Sequence, residues 1–136
     1  MTTMHDADRA RLPGLLVVDP DPQARAALAR GMEGRGWHVW ATADGAAAVE
    51  AYQQYRDRID VALVDLQLPG LEGGRVLAEL GHLDPDLTRC AMSADMTPYT
   101  ASAFRRLSDT PLFAKPINVP ALAFALYEMM AAAVRR

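Results

Sequence analysis

Apolar and polar positions alternate along the chain in blocks rather than residue by residue. Between the apolar blocks lie longer segments in which alanine, leucine and charged residues recur with helical spacing. The apolar blocks have the length of β-strands and are bounded by turn or capping residues. The pattern therefore predicts five strands alternating with five helices. The predicted strands are Leu15–Asp19, Trp37–Ala41, Val61–Asp65, Cys90–Ser93 and Leu112–Lys115.

Three of the predicted helices begin at a recognisable capping sequence. Asp21 precedes Pro22, and Thr97 precedes Pro98, so in each case a capping side chain stands before a proline at the first helical position. Asn118 is the predicted cap of the last helix. The second and third helices are predicted in the segments ATADGAAAVEAYQQY and GGRVLAELGHL. Repeated alternation of strand and helix is typical of an α/β domain with a parallel sheet covered by helices on both faces.

Four polar side chains end, or nearly end, a predicted strand: Asp19, Asp65, Ser93 and Lys115. In parallel sheets of this kind the functional crevice lies beyond the carboxyl ends of the strands, so these side chains are expected to gather at one edge. Two carboxylates, a hydroxyl and an ammonium suit a phosphoryl group and a hard cation such as Mg²⁺. A carboxylate can also accept a phosphoryl group and become an aspartyl phosphate.

Composition narrows the classes of function. A chain of 136 residues with a net charge of −3 and no long basic run does not favour nucleic acid as a direct partner. The single cysteine, Cys90, excludes an internal disulfide and a multi-cysteine zinc site and fits a cytoplasmic location. No apolar run approaches the ~20 residues of a membrane span. Residues 1–12 lack the apolar core of a signal peptide and are interpreted as a flexible leader, which leaves one domain over residues 13–136.

The order of these motifs resembles the receiver domain of bacterial two-component response regulators. The matching pieces are VVD at the first strand, VALVDLQLPGLEGGRVL around the third, MSAD after the fourth and FAKPI at the fifth. The resemblance covers essentially the whole chain after the leader. It implies a flavodoxin-like (βα)5 fold with a doubly wound five-stranded parallel sheet, and a phosphoacceptor rather than an enzyme.

The resemblance also implies roles for individual residues. Asp65 matches the phosphoacceptor, Ser93 the switch hydroxyl and Lys115 the phosphoryl-binding lysine, whose peptide bond to the following proline is expected to be cis. Asp19, Asp65 and the backbone carbonyl of Gln67 match the ligands of Mg²⁺. The loop after the acceptor is matched by Pro69–Gly70, Gly73 and Gly74.

Two positions depart from the family pattern. The family usually has a second acidic ligand directly after the first, and here that position is Pro20. Losing a carboxylate leaves a coordination position to water, so weaker Mg²⁺ binding is expected. Asp21 is a candidate replacement ligand, because it shares a side with Asp19 in an extended stretch. The capping role at the first helix is favoured over this one, since one carboxylate rarely does both. Leu112 stands where the family often has an aromatic residue that rotates inward on activation.

The last helix is apolar nearly all round, since only Glu128 is charged between Val119 and Val134. In this fold the final helix packs the sheet on one side, so the excess apolar surface indicates a protein-facing patch. The alternative is that exposed alanines account for much of that apolarity. The resemblance places homodimer or effector contacts on the face formed by the fourth helix, fifth strand and fifth helix. The candidate contact residues are Leu122, Phe124, Tyr127, Met129 and Met130.

Three functions are consistent with these residues. In the leading hypothesis, Asp65 accepts a phosphoryl group from a histidine kinase or phosphotransfer protein, and the face around the last helix switches. The alternative is a degenerate receiver that acts as a phosphorylation-independent interaction module, for which Pro20 and Leu112 argue. A small cofactor binder of flavodoxin type is disfavoured, because VVDPDP stands where a glycine-rich phosphate loop would follow the first strand.

Overall fold

A computed structural model describes residues 11–68, 73–97, 101–102, 104 and 109–134. The strands in this part of the chain are β1 (Gly14–Val18), β2 (His38–Thr42), β3 (Val61–Asp65), β4 (Thr88–Ser93) and β5 (Leu112–Ala114). The helices are α1 (Pro22–Glu33), α2 (Gly45–Tyr55), α3 (Gly73–Leu83) and α5 (Val119–Val134), and the helical residues 101, 102 and 104 are labelled α4.

The strands form one parallel sheet in the order β2-β1-β3-β4-β5, which confirms the predicted doubly wound architecture. The register aligns the strand ends: Val18 pairs with Val64, and Ser93 pairs with Ala114. Asp19 and Lys115 therefore lie one residue beyond β1 and β5, and not within those strands as predicted. All four polar strand-end residues share the carboxyl edge of the sheet.

The side chains of the central strands alternate between two apolar layers, as the pleat requires. Leu16 and Val18 of β1 pack on the side of α2 and α3, and Leu15 and Val17 pack on the side of α1 and α5. All four are fully buried. The near-continuous apolar run of β1 therefore reflects a strand covered on both faces.

The helix starts follow the capping prediction. The Asp21 carboxylate accepts a hydrogen bond from Gln23 N (3.0 Å), and the Asn118 side chain accepts one from Ala121 N (2.9 Å). Asp44 caps α2 in the same way, accepting from Ala47 N (2.8 Å). Pro98, at the predicted start of the fourth helix, lies outside the described residues.

Arg11, which lies in the predicted leader, contacts the domain. The Arg11 guanidinium makes two hydrogen bonds to the Asp60 carboxylate, at 3.0 and 3.1 Å. Asp60 also accepts from Gly14 N (2.8 Å), so Arg11 is tied to the beginning of the sheet. No described helix is long and apolar enough to cross a membrane.

The last helix corrects one part of the predicted contact patch. Leu122 is 1% exposed and belongs to the core against the sheet, so it is not a surface residue. Met129 and Met130 are half-buried against the same core. Phe124 (69% exposed) and Tyr127 (46% exposed) do lie at the surface. The Tyr127 ring centroid lies 5.2 Å from that of Trp37, the residue just before β2.

Candidate functional site

Two carboxylates are buried side by side at the carboxyl edge of the sheet. Asp19 is 1% exposed and Asp65 is 2% exposed, because Asp19 directly follows β1, Asp65 is the last residue of β3, and both strands are covered on both faces. One oxygen of each is used by its own loop: Asp19 Oδ1 accepts from Asp21 N (2.9 Å), and Asp65 Oδ1 accepts from Gln67 N (2.8 Å). Such side-chain turns are local, so the two-residue spacing is enough to form them.

Lys115 joins the two acids. Its Nζ donates to Asp65 Oδ2 at 2.7 Å and to Asp19 Oδ2 at 3.0 Å, and its peptide bond to Pro116 is cis. Desolvation by itself would lower the pKa of Lys115, but the hydrogen bonds and charges of the two aspartates outweigh it and raise that pKa. The lysine is therefore a fixed cation shared by two carboxylates, and the three groups sum to one negative charge.

Ser93 lies at the same edge but is hydrogen-bonded to its own loop. It is 1% exposed, and its Oγ accepts from Asp95 N (3.0 Å) and donates to Asp95 O (3.2 Å). This pair of bonds is a local turn between residues two apart. The hydroxyl would have to leave the Asp95 backbone before it could donate to a group bound at Asp65.

The loop after β1 brings in a backbone donor but no second acid. Pro20 has neither an N–H nor a polar side chain, and the exposed Asp21 carboxylate is directed to Gln23 N at the start of α1. Asp21 thus contributes its N–H to Asp19 and its carboxylate to the helix. Within the described part of the chain, no three histidine, cysteine, aspartate or glutamate side chains come together as a metal cluster.

Sequence reasoning missed Arg25. Its guanidinium donates to the backbone carbonyl of Asp19 at 2.8 Å, and Asp19 N donates to Thr42 O at 3.0 Å. The loop that carries Asp19 is therefore held from α1 and from β2. The sequence did contain a signal for this contact. Arg25 lies close to the N-terminus of α1, where the helix dipole disfavours a positive charge. An arginine at such a position suggests that its guanidinium has a specific acceptor.

Gly73 lets α3 begin directly against the end of β3. A Cβ at this position would lie 2.2 Å from the carbonyl oxygen of Asp65, so the close approach requires glycine. No such contact faces Gly74. Pro69 and Gly70, which were also expected to shape this loop, lie outside the described residues.

The donor chemistry of this edge fits Mg²⁺ in part. Asp19 and Asp65 supply carboxylate oxygens, and the carbonyl of Gln67 would be a third oxygen donor of the type that Mg²⁺ takes while it keeps several waters. Two carboxylates rather than three make this a weakly charged set. Lys115 already donates to both of them.

The chain matches the model of the response regulator receiver domain over residues 15–127. It belongs to this family. Receiver domains are phosphoacceptors of two-component signalling rather than classical enzymes; they partner histidine kinases and typically bind Mg²⁺.

Curated relatives and solved structures agree with this assignment. The transcriptional regulatory protein PrrA of Mycobacterium tuberculosis is 35% identical over 82 residues, which are 60% of this chain and 34% of PrrA. The chain thus spans about a third of that relative. The response regulator receiver protein CpdR of Brucella abortus is 28% identical over 106 residues, covering 78% of this chain and 83% of CpdR. A CheY-like receiver from Methanospirillum hungatei superimposes with a TM-score of 0.78 at 21% identity, over 91% of this chain and 98% of its own.

Proposed function

We propose that this chain accepts a phosphoryl group on Asp65 from a histidine kinase or a phosphotransfer protein. The observation that carries the proposal is the position of Asp65 on the central strand. Its neighbour β1 brings the second acid, Asp19, and its neighbour β4 brings the hydroxyl of Ser93. Lys115 donates to Asp65 at 2.7 Å. Asp19 lies one strand further from Ser93, so Asp65 is the better placed acceptor.

In the proposed transfer, an Asp65 oxygen attacks the phosphorus of a phosphohistidine. The O–P bond forms as the N–P bond breaks, and the electron pair of that bond goes to the imidazole nitrogen, which then takes up a proton. Lys115 balances the charge on the phosphoryl oxygens. When bound, Mg²⁺ would supply further charge neutralisation there, held by Asp19, Asp65 and the Gln67 carbonyl. The missing acid at Pro20 makes this contribution weaker.

The proposed switch follows from the present bonds of Ser93. A phosphoryl group on Asp65 would compete for the hydroxyl that now donates to Asp95 O. Moving Ser93 displaces the loop after β4, which precedes α4 and β5. Leu112 of β5 and Phe104 of α4 each pack against the same apolar layer, so a leucine would transmit the displacement in place of the usual aromatic residue. The consequence is a changed surface for a second copy or an effector partner.

A second candidate function is a phosphorylation-independent interaction module. Two observations favour it: Pro20 removes an acidic ligand, and Lys115 already donates to both acids that remain and balances one of their two negative charges. In this reading Phe124 and Tyr127, exposed on α5, are used for binding without a phosphoryl signal. For the receiver function we propose a cytoplasmic location, because histidine kinases deliver their phosphoryl groups on that side of the membrane.

The test is the intact-protein mass after incubation with acetyl phosphate and Mg²⁺. The wild-type chain should gain the mass of one phosphoryl group, and Asp65→Asn should not. Asp60→Asn is the matched control, because Asp60 stands at the other end of β3 and binds Arg11 rather than Lys115. A mass gain retained in Asp65→Asn would contradict the assignment of the acceptor.

Pro20→Asp separates the two candidate functions. If the wild type remains unmodified and Pro20→Asp becomes phosphorylated, the proline has silenced the site and the interaction module is favoured. If both are modified, the receiver function holds, and the ratio of their rates measures what the missing carboxylate contributes. A purified histidine kinase replaces acetyl phosphate if neither reacts, and failure with both donors would overturn the receiver function.

A further inference from the structure

Each carboxylate oxygen in the buried pair has a hydrogen-bond donor. The Oδ1 atoms of Asp19 and Asp65 hold the turns of their own loops, through Asp21 N and Gln67 N. The Oδ2 atoms of both residues accept from Lys115 Nζ. Each of these oxygens has a second lone pair, so a cation binds the pair by sharing an oxygen with a loop N–H or with the ammonium of Lys115. Sharing Oδ2 with the ammonium places two cations on the same atoms.

We propose that Lys115 and a divalent cation compete for Oδ2 of Asp19 and Asp65, so that Lys115 sets the metal affinity of this chain. Both cations are attracted to the same two oxygens, and they repel each other when both are present. With an additional acid the site could hold both cations more easily. Pro20 removes that acid, and the described residues offer no replacement for it. This inference concerns the site of the proposed function but does not require Asp65 to be phosphorylated.

Competition predicts two opposite effects when the lysine is neutralised. Without metal, two buried carboxylates lose their shared cation, so the folded chain becomes less stable. With metal, the competitor is gone, so the cation binds more tightly and restores more stability than it gives to the wild type. A purely structural role of Lys115 would produce the first effect without the second.

The experiment is calorimetric titration of MgCl₂ into the purified chain without any phosphodonor, together with thermal unfolding at zero and saturating Mg²⁺. Lys115→Met should bind Mg²⁺ about tenfold more tightly than the wild type, an effect of about 1.4 kcal/mol. Its Tm should be lower without Mg²⁺ and should rise further on addition. Lys115→Arg, which keeps the charge, should retain the weak affinity.

Arg25→Gln is the matched control. Arg25 carries a cation at the same edge but donates to the Asp19 carbonyl and to neither carboxylate. If Arg25→Gln tightens Mg²⁺ binding as much as Lys115→Met, a general electrostatic field is responsible and the proposed competition is wrong. Lys115→Gln repeats the test with a neutral polar side chain if Lys115→Met does not fold; unchanged or weaker Mg²⁺ binding in the neutral variant overturns the proposal.

Failure of this inference is distinguishable from failure of the proposed function. Calorimetry without a phosphodonor reports on Lys115 and the metal. The mass measurement reports on Asp65 as acceptor. A chain that is never phosphorylated but shows tighter Mg²⁺ binding in Lys115→Met supports the competition and contradicts the receiver function.

Discussion

An aspartate stands at each end of strand β3, and the two aspartates differ in how far they are buried and in the charged group that each one contacts. Asp60, just before the strand, pairs with Arg11 at 3.0 Å, and the two side chains are 23% and 33% exposed. Asp65, the last residue of the strand, pairs with Lys115 at 2.7 Å and is almost fully buried. The distances are similar, so the surroundings and the number of acids decide what each pair does.

At the amino end, one acid meets one guanidinium and a backbone N–H, and every charge has a partner. At the carboxyl end, one lysine serves two acids, and one negative charge is left in a buried place. Partly exposed pairs contribute little to stability, whereas a buried charge that loses its partner is costly. The amino edge therefore ties Arg11 to the sheet through a balanced pair, whereas the carboxyl edge keeps a negative charge that Lys115 does not balance.

The largest expected effect is on stability at the carboxyl edge. Without Mg²⁺ at neutral pH, Lys115→Met should lower the free energy of unfolding by about 3 kcal/mol, because it leaves two buried carboxylates without their cation. Urea denaturation followed by circular dichroism measures the change. Lys115→Arg should cost clearly less. A loss below about 1 kcal/mol in Lys115→Met would mean that water already solvates the acids and that the edges do not differ as described.

An intermediate effect on the free energy of unfolding is expected for the Tyr52–Asp84 pair at the amino edge, because one of its two residues is buried. Tyr52, 1% exposed, donates from its hydroxyl to Asp84 Oδ2 at 2.6 Å. The hydrogen bond from Tyr52 lowers the pKa of Asp84 below its ordinary value of 3.8. Desolvation, with the Asp84 hydrogen bond and charge, raises the pKa of Tyr52 to about 12. Tyr52→Phe should lower the free energy of unfolding by about 1.5 kcal/mol at pH 7.

The pH dependence of that loss has a definite sign. A lowered carboxyl pKa contributes stability above about pH 3.8, lost as pH falls through the folded-state value. A raised tyrosine pKa contributes stability below about pH 10, lost as pH rises toward 12. Tyr52→Phe should therefore flatten both limbs of a plot of unfolding free energy against pH, although the raised pKa of Lys115 leaves part of the alkaline limb. If both limbs are as steep in Tyr52→Phe as in the wild type, the Tyr52–Asp84 pair is not the cause of the pH dependence.

The smallest effect is expected at the exposed pair. Arg11→Gln should lower the free energy of unfolding by less than about 1 kcal/mol, and 1 M salt should remove most of the difference from the wild type. Urea denaturation at two salt concentrations measures this. A salt-independent loss above about 2 kcal/mol would instead mean that the Arg11–Asp60 pair behaves like the buried pairs of Lys115 with Asp19 and Asp65.

The order of the elements and the edge that carries the site could be predicted from local pattern. Apolar runs give the strands, Asp21 and Asn118 give two helix starts, and the rule for parallel sheets brings Asp19 and Asp65 together. The last helix could not be oriented in this way. It is apolar nearly all round, so nothing in its pattern separates the buried Leu122 from the exposed Phe124. The orientation of this helix is set by its packing, since it contacts the Trp37 ring through Tyr127 and the core against the sheet through Leu122.

The α/β architecture, the family and the set of polar groups at the carboxyl edge can all be derived from the order of residues along the chain. These depend on short-range periodicity, on capping and on motif order, which a linear chain carries in full. The sharing of one lysine between two acids emerges only on folding, since Lys115 is 50 residues from Asp65 and 96 from Asp19. The same is true of the bonds of Ser93 to its own loop and of Arg25 to the Asp19 carbonyl. Such partnerships depend on distances of a few ångströms between distant segments, and only the packed sheet and its helices set those distances.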